Sequence, residues 1–112
     1  MNRQRVGIIG AGSFGTALSK VFMDAENQVH IWAREADIVD HMNQQHVNPA
    51  YLPDLRLPDE LLAVKTLEEV VKDKDLIVLA TPSHTLRGMA ETVKPMLQGN
   101  EVVITVSKGI EQ

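Results

Sequence analysis

One run of six residues constrains this chain more than any other: Gly10-Ala11-Gly12-Ser13-Phe14-Gly15, set directly between an aliphatic segment and an amphipathic one. Before it, Val6-Gly7-Ile8-Ile9 is short, β-branched and ended by glycine, the pattern of a buried strand. After it, Phe14, Ala17, Leu18, Val21, Phe22 and Ala25 recur at spacings of three and four, the apolar stripe of a helix lying on a sheet. Asn27 closes that helix. In residues 28–32, Val29 and Ile31 then alternate with His30 and Trp32, completing a strand-helix-strand unit. G-x-G-x-x-G on its own is weak, but in this setting each glycine has a mechanical task. Gly10 makes the tight turn, Gly12 clears the approach of a pyrophosphate, and Gly15 lets the helix close on the sheet. A helix that begins inside the turn leaves its first amide hydrogens unpaired at the positive end of its dipole. The unit therefore predicts a dinucleotide site in which the amides of Ser13, Phe14 and Gly15 hold the phosphates.

The rest of the chain repeats the alternation. Residues 35–45 carry Ile38, Val39 and Met42 at helical spacing, and Pro49, Pro53 and Pro58 then exclude regular structure. Residues 62–65 are the least marked strand, recognised mainly by the capping box Thr66-Leu67-Glu68-Glu69 that follows. Asp75-Leu76-Ile77-Val78-Leu79-Ala80 is the plainest strand, stopped at Thr81-Pro82, with Ser83 offered as the cap of the next helix. Leu86, Met89, Ala90, Val93 and Leu97 give that helix its buried stripe, Pro95 ends or kinks it, and residues 102–106 make a fifth strand. The expectation is an α/β fold of Rossmann type: a doubly wound parallel sheet of about five strands with helices on both faces and right-handed crossovers. Residues 107–112 follow a strand end with no closing element. They read as the edge of an excised domain, the alternative being a complete small α/β domain.

Composition narrows the function. A chain of 112 residues, 44% hydrophobic and 23% charged, matches one soluble globular domain. A net charge of −4, with eleven basic residues scattered among fifteen acids, argues against nucleic acid, so any phosphate is held locally. There is no cysteine and His30, His41, His46 and His84 lack zinc-ligand spacing, so no metal site is expected. No apolar run approaches the roughly 20 residues of a membrane span, and no signal peptide opens the chain, which leaves a cytoplasmic protein as the expectation.

Three further positions bear on the ligand. The end of the second strand normally selects the nicotinamide cofactor, an acid favouring NAD and an arginine accommodating the 2′-phosphate of NADP. Here it reads Trp32-Ala33-Arg34-Glu35; Arg34 favours NADP, Glu35 weakens the preference, and both also fit solvated residues opening a helix. Thr81-Pro82-Ser83 ends the fourth strand beside the glycine turn, so Pro82 is a cofactor contact, although a strand stop explains it almost as well. Ser83 and His84 lack a third orienting group and do not read as a catalytic pair. Lys108, just past a strand end and beside Gly109, either points into the crevice toward a phosphorylated substrate or is an ordinary surface lysine.

Taken together and in order, Gly10 through Leu18, Trp32-Ala33-Arg34, Asn48-Pro49-Ala50-Tyr51-Leu52-Pro53 and Ser107-Lys108-Gly109-Ile110-Glu111 resemble the amino-terminal domain of the NAD(P)-dependent glycerol-3-phosphate dehydrogenases. The resemblance spans essentially the whole chain, and its second pair of segments is more specific than the glycine turn. It implies that Ser13 and Phe14 contact the cofactor, that Arg34 lies at its adenosine end, and that Lys108 touches cofactor and substrate phosphate. Many members carry Trp where this chain has Phe14, which reduces stacking area. The implied activity is hydride transfer between sn-glycerol 3-phosphate and dihydroxyacetone phosphate, at the start of phospholipid synthesis. In the family the proton-handling lysine and the substrate grip come from a helical second domain. No catalytic residue is therefore expected here, the fragment alone should be inactive, and the full protein should be a homodimer. The rival readings are a non-catalytic dinucleotide sensor and a related hydroxyacid or keto-acid reductase.

Overall fold

A computed structural model of the chain describes residues 3–106. Strand β1 (Arg5–Ile9) leads through the glycine turn into helix α1 (Ser13–Asp24), and strand β2 (Gln28–Trp32) into helix α2 (Ala36–Gln45). After an irregular stretch come strand β3 (Leu62–Val64) and helix α3 (Leu67–Val71). Strand β4 (Leu76–Leu79), helix α4 (Ser83–Val93), a 3-10 turn (Lys94–Met96) and strand β5 (Val102–Thr105) complete the order. The sheet runs β3-β2-β1-β4-β5. Every pair is parallel, with Ile8 opposite Ile31 on one side and Val78 on the other.

That order places β1 at the centre and divides the core by the parity of the strands. Val6, Ile8, Val29, Ile31 and Val78 pack on one face with Ile38, Val39 and Met42 of α2 and Leu18 and Phe22 of α1. Ile9, Val64, Ile77 and Leu79 pack on the other with Val70 and Val71 of α3 and Val93 of α4. Each wholly buried aliphatic side chain contributes about 1.5–3 kcal/mol, which is why the alternation of β2, two residues in and two partly out, is decisive for register. Coverage of both faces does not extend to β5: Val102 is 60% exposed, and Val103 and Ile104 are also open. Together with Val21 on α1 they leave aliphatic surface in water. Among the described residues, no helix is long and apolar enough to cross a membrane.

The local signals resolve with small, explicable departures. Asn27 closes α1 by directing both its backbone N–H and its Nδ2 to the Phe22 carbonyl, each at 3.1 Å. The expected capping box forms in altered form. Glu69 N–H donates to Thr66 Oγ1 (3.2 Å), while the Thr66 hydroxyl donates to Glu69 Oε1 (2.9 Å), so the carboxylate takes the hydroxyl in place of the cap's own amide. Ser83 is not the cap of α4. Pro82 is, because its ring fixes a near-helical φ of −57° and the helix starts one residue sooner; its carbonyl accepts both Thr85 N–H and Thr85 Oγ1 at 3.0 Å. Pro95 ends the α-helical ladder, which tightens into the 3-10 turn. At the opposite end of the sheet, Arg5 and Asp75 pair at 3.0 Å, and hydrogen bonds from Arg5 hold the Asp75 carboxyl below its usual range.

Candidate functional site

At β1 the chain reverses direction across the sheet: it leaves for β2 on one side and returns through β4 on the other. Helices following these strands therefore lie on opposite faces, and a crevice opens at the strand carboxyl ends between them. The crevice is a cleft of about 490 Å³. Gly10, Gly12, Ser13 and Phe14 form one wall, Trp32, Arg34 and Glu35 close the β2 end, and Thr81 and Pro82 face them from the end of β4. Six of the eight residues expected at a dinucleotide site thus meet in one place. Gly15 lies behind that wall, and Lys108 falls outside the described residues.

The three glycines separate by mechanism. Gly10 has φ +119°, and a side-chain carbon there would sit 2.8 Å from the Ala80 carbonyl oxygen, so both conformation and the neighbouring strand demand glycine. At Gly15 an added carbon would come within 2.0 Å of the Gly10 oxygen, so helix α1 reaches its position only because that atom is missing. Gly12 is different. It has an ordinary φ of −76° as the cap residue of α1, and an added carbon meets no protein atom within 4 Å. Nothing in the fold needs glycine at that position; a ligand brought against the backbone would.

Helix α1 has no side-chain cap and no acid in its first turn. Thr16 N–H bonds back to the Gly12 carbonyl (3.0 Å), whereas the amides of Ser13, Phe14 and Gly15 precede the first intrahelical donor. They stand at the positive helix end and suit an anion. Arg34 is the one Lys or Arg lining the cleft among the described residues, exposed and with no ion pair among them. Phe14, 40% exposed, turns an apolar ring surface to the cleft it lines.

Ala11, Tyr51, Ala80, Thr85 and Val106 also line the cleft and were not anticipated from sequence as site residues. Tyr51 comes from the proline-punctuated segment between α2 and β3, which folds over the glycine turn, and Ser13 Oγ reaches its carbonyl at 3.4 Å. No periodicity marks such a residue. Thr81 had a signal, its place at the end of the plainest strand; its Oγ1 is buried and has no hydrogen-bond partner.

Residues 5–112 match the family model described as the NAD-dependent glycerol-3-phosphate dehydrogenase N-terminus. A glycerol-3-phosphate dehydrogenase [NAD(P)+] of Leptospira biflexa is 45% identical over 107 residues, covering 96% of this chain and 32% of that protein. The crystal structure of glycerol-3-phosphate dehydrogenase from Coxiella burnetii superposes with a TM-score of 0.87 at 30% identity, over 98% of this chain and 34% of that one. The Saccharomyces cerevisiae glycerol-3-phosphate dehydrogenase gives 0.86 at 30% identity, over 98% and 35%. The chain thus spans about a third of the length of the relatives it matches.

Proposed function

The chain belongs to the family of NAD-dependent glycerol-3-phosphate dehydrogenase amino-terminal domains, and from that premise we propose that its cleft holds the nicotinamide dinucleotide for that reaction. The observation that carries the proposal is the contrast at Gly12: a glycine the protein does not need, at an uncapped helix end, facing the cleft. Backbone there can approach a pyrophosphate, with the amides of Ser13, Phe14 and Gly15 as donors and Gly10 setting the turn. Phe14 and Pro82 supply apolar walls.

Arg34 takes the adenosine end, where its guanidinium pairs with a 2′-phosphate, so NADPH is favoured over NADH. Lys108 takes cofactor and substrate phosphate, a role supported by the Ser107-Lys108-Gly109 segment. When bound, the nicotinamide carries the hydride between sn-glycerol 3-phosphate and dihydroxyacetone phosphate, the step that supplies glycerol phosphate for phospholipids. The chain's own residues bind and orient; the acid-base lysine and the substrate grip belong to a helical second domain. On this reading the 112 residues are one dinucleotide-binding domain that binds but does not turn over. The full protein is a cytoplasmic homodimer acting on a phosphorylated small molecule. Isothermal calorimetry tests the proposal: saturable heat with NADPH, weaker with NADH, is expected, and no heat with either refutes it.

A further inference from the structure

The proline-punctuated segment between α2 and β3 is held to the glycine turn by one buried side chain. Helix α2 ends at His46, which adopts a left-handed φ of 61° and turns the chain back; its carbonyl accepts Leu57 N–H at 2.7 Å. Between these points Asn48 is fully buried. Its Nδ2 donates to the Ala11 carbonyl at 2.8 Å and to Thr16 Oγ1 at 2.9 Å. Thr16 is also fully buried, and its carbonyl accepts the Ser19 hydroxyl at 2.6 Å. The Asn48 backbone is fixed in turn, its carbonyl accepting Leu52 N–H at 3.0 Å.

These contacts define the direction of a peptide plane. In a trans peptide the carbonyl and the following N–H point in opposite directions. Drawing the Ala11 oxygen inward to a buried amide therefore aims the N–H of Gly12 the other way, and Gly12 lines the cleft. The second donor ties the first turn of α1 to the same anchor, fixing the turn relative to the helix end. Both protons of the amide serve this purpose, while its buried Oδ1 has no partner. A buried acceptor left unmatched opposes folding, so the side chain is placed for its donors.

We propose that Asn48 is the positioning residue of the phosphate site: it holds the Ala11–Gly12 peptide so that the Gly12 amide joins those of α1 in facing a pyrophosphate. This rests on the reading of the cleft as a dinucleotide site. Asn48 touches no ligand; it acts through the turn, converting a flexible glycine pair into a preorganised donor.

The test compares wild type with Asn48→Leu, which keeps the branching at Cγ and removes both donors, and with Thr16→Val, which removes one acceptor and leaves the Ala11 bond. NADPH dissociation constants come from nucleotide fluorescence, and the Gly12 amide is followed by nitrogen-edited NMR without ligand. Asn48→Leu should weaken NADPH about ten-fold or more and displace the Gly12 resonance, whereas Thr16→Val, which loses the tie to α1 but keeps the Ala11 bond, should weaken it less, by about three-fold. Asn48→Ala carries the same comparison if the leucine variant does not fold. Donor-less variants that bind within two-fold of a binding wild type, with the Gly12 resonance unmoved, overturn the assignment. A wild type that binds neither NADPH nor NADH overturns the reading of the cleft and this inference with it.

Discussion

Adding one methyl at Gly12 and one at Gly15 should have opposite consequences, although the two positions lie three residues apart in the same motif. At Gly15 the new carbon would sit 2.0 Å from the Gly10 oxygen and 3.1 Å from its carbonyl carbon, well inside contact distance, with the Ala80 side-chain carbon at 3.5 Å. Relief requires helix α1 or the turn to move by more than an ångström, and overpacking against backbone costs about 3 kcal/mol. For a domain of this size that lowers the melting midpoint by roughly 12 °C or more. At Gly12 no protein atom lies within 4 Å and φ is −76°, so alanine is accommodated. The loss of a favoured helix cap is about offset by the smaller entropy of the unfolded chain, leaving stability within about 0.5 kcal/mol. The methyl instead occupies the approach to the pyrophosphate, and NADPH affinity should fall by about ten-fold or more. Differential scanning calorimetry and fluorescence titration read the two effects separately. A Gly12→Ala protein that binds as wild type, or a Gly15→Ala protein that melts with it, refutes the division of labour among the glycines.

Arg34→Ala should raise the dissociation constant for NADPH about ten-fold while changing that for NADH less than about three-fold, because only NADPH loses a charge-assisted pair; equal changes would remove Arg34 from the 2′-phosphate. His30, in the middle of β2, gives a pH effect. Burial and then the Lys74 ammonium depress its pKa below 6.5, partly offset by Glu69, and its Nδ1 is buried without a partner. The unfolded chain therefore binds the proton first, so this histidine's contribution to stability declines as pH falls through 6.5 and levels off below its folded pKa. Chemical denaturation at pH 7.5 and 5.5 should show a smaller loss in His30→Gln than in wild type, and identical slopes would discount the histidine.

How much was legible follows from what produces a periodic signal. β1, α1 and β2 were readable because burial on a sheet face imposes spacings of two, and on a helix spacings of three and four, directly on the residue types. β3 was the faintest because only Ala63 and Val64 of its three residues are buried, too few to establish a pattern. Gly7 was read only as part of a strand. Its neighbour is the Val70 carbonyl oxygen, 2.1 Å from where a side-chain carbon would be, a contact created by the docking of α3 and invisible until both elements are placed. The site divides in the same way. Gly10 and Gly15 announce themselves because the turn and the close approach of the helix restrict residue type, Gly12 by its place in the motif, and Arg34 because strand ends have a known reach. Asn48 has no such mark: it is a polar residue in an irregular segment, where burial is the exception and solvent the rule.

That exception bears on how an acidic chain would present the proposed anion site. With a net charge of −4 and a single cation lining the cleft among the described residues, attraction at long range is not what recruits a dinucleotide. The donors at its centre are backbone amides, which do not titrate and carry no net charge, so their affinity depends on direction more than on ionic strength. Direction is what the motif alone leaves loose, since glycine permits many orientations of the Ala11–Gly12 peptide. Fixing it takes contacts from elsewhere in the chain, and Asn48 donating to the Ala11 carbonyl is one that the fold brings to it. The glycine motif supplies freedom of approach, and the irregular segment restores the order that freedom removes.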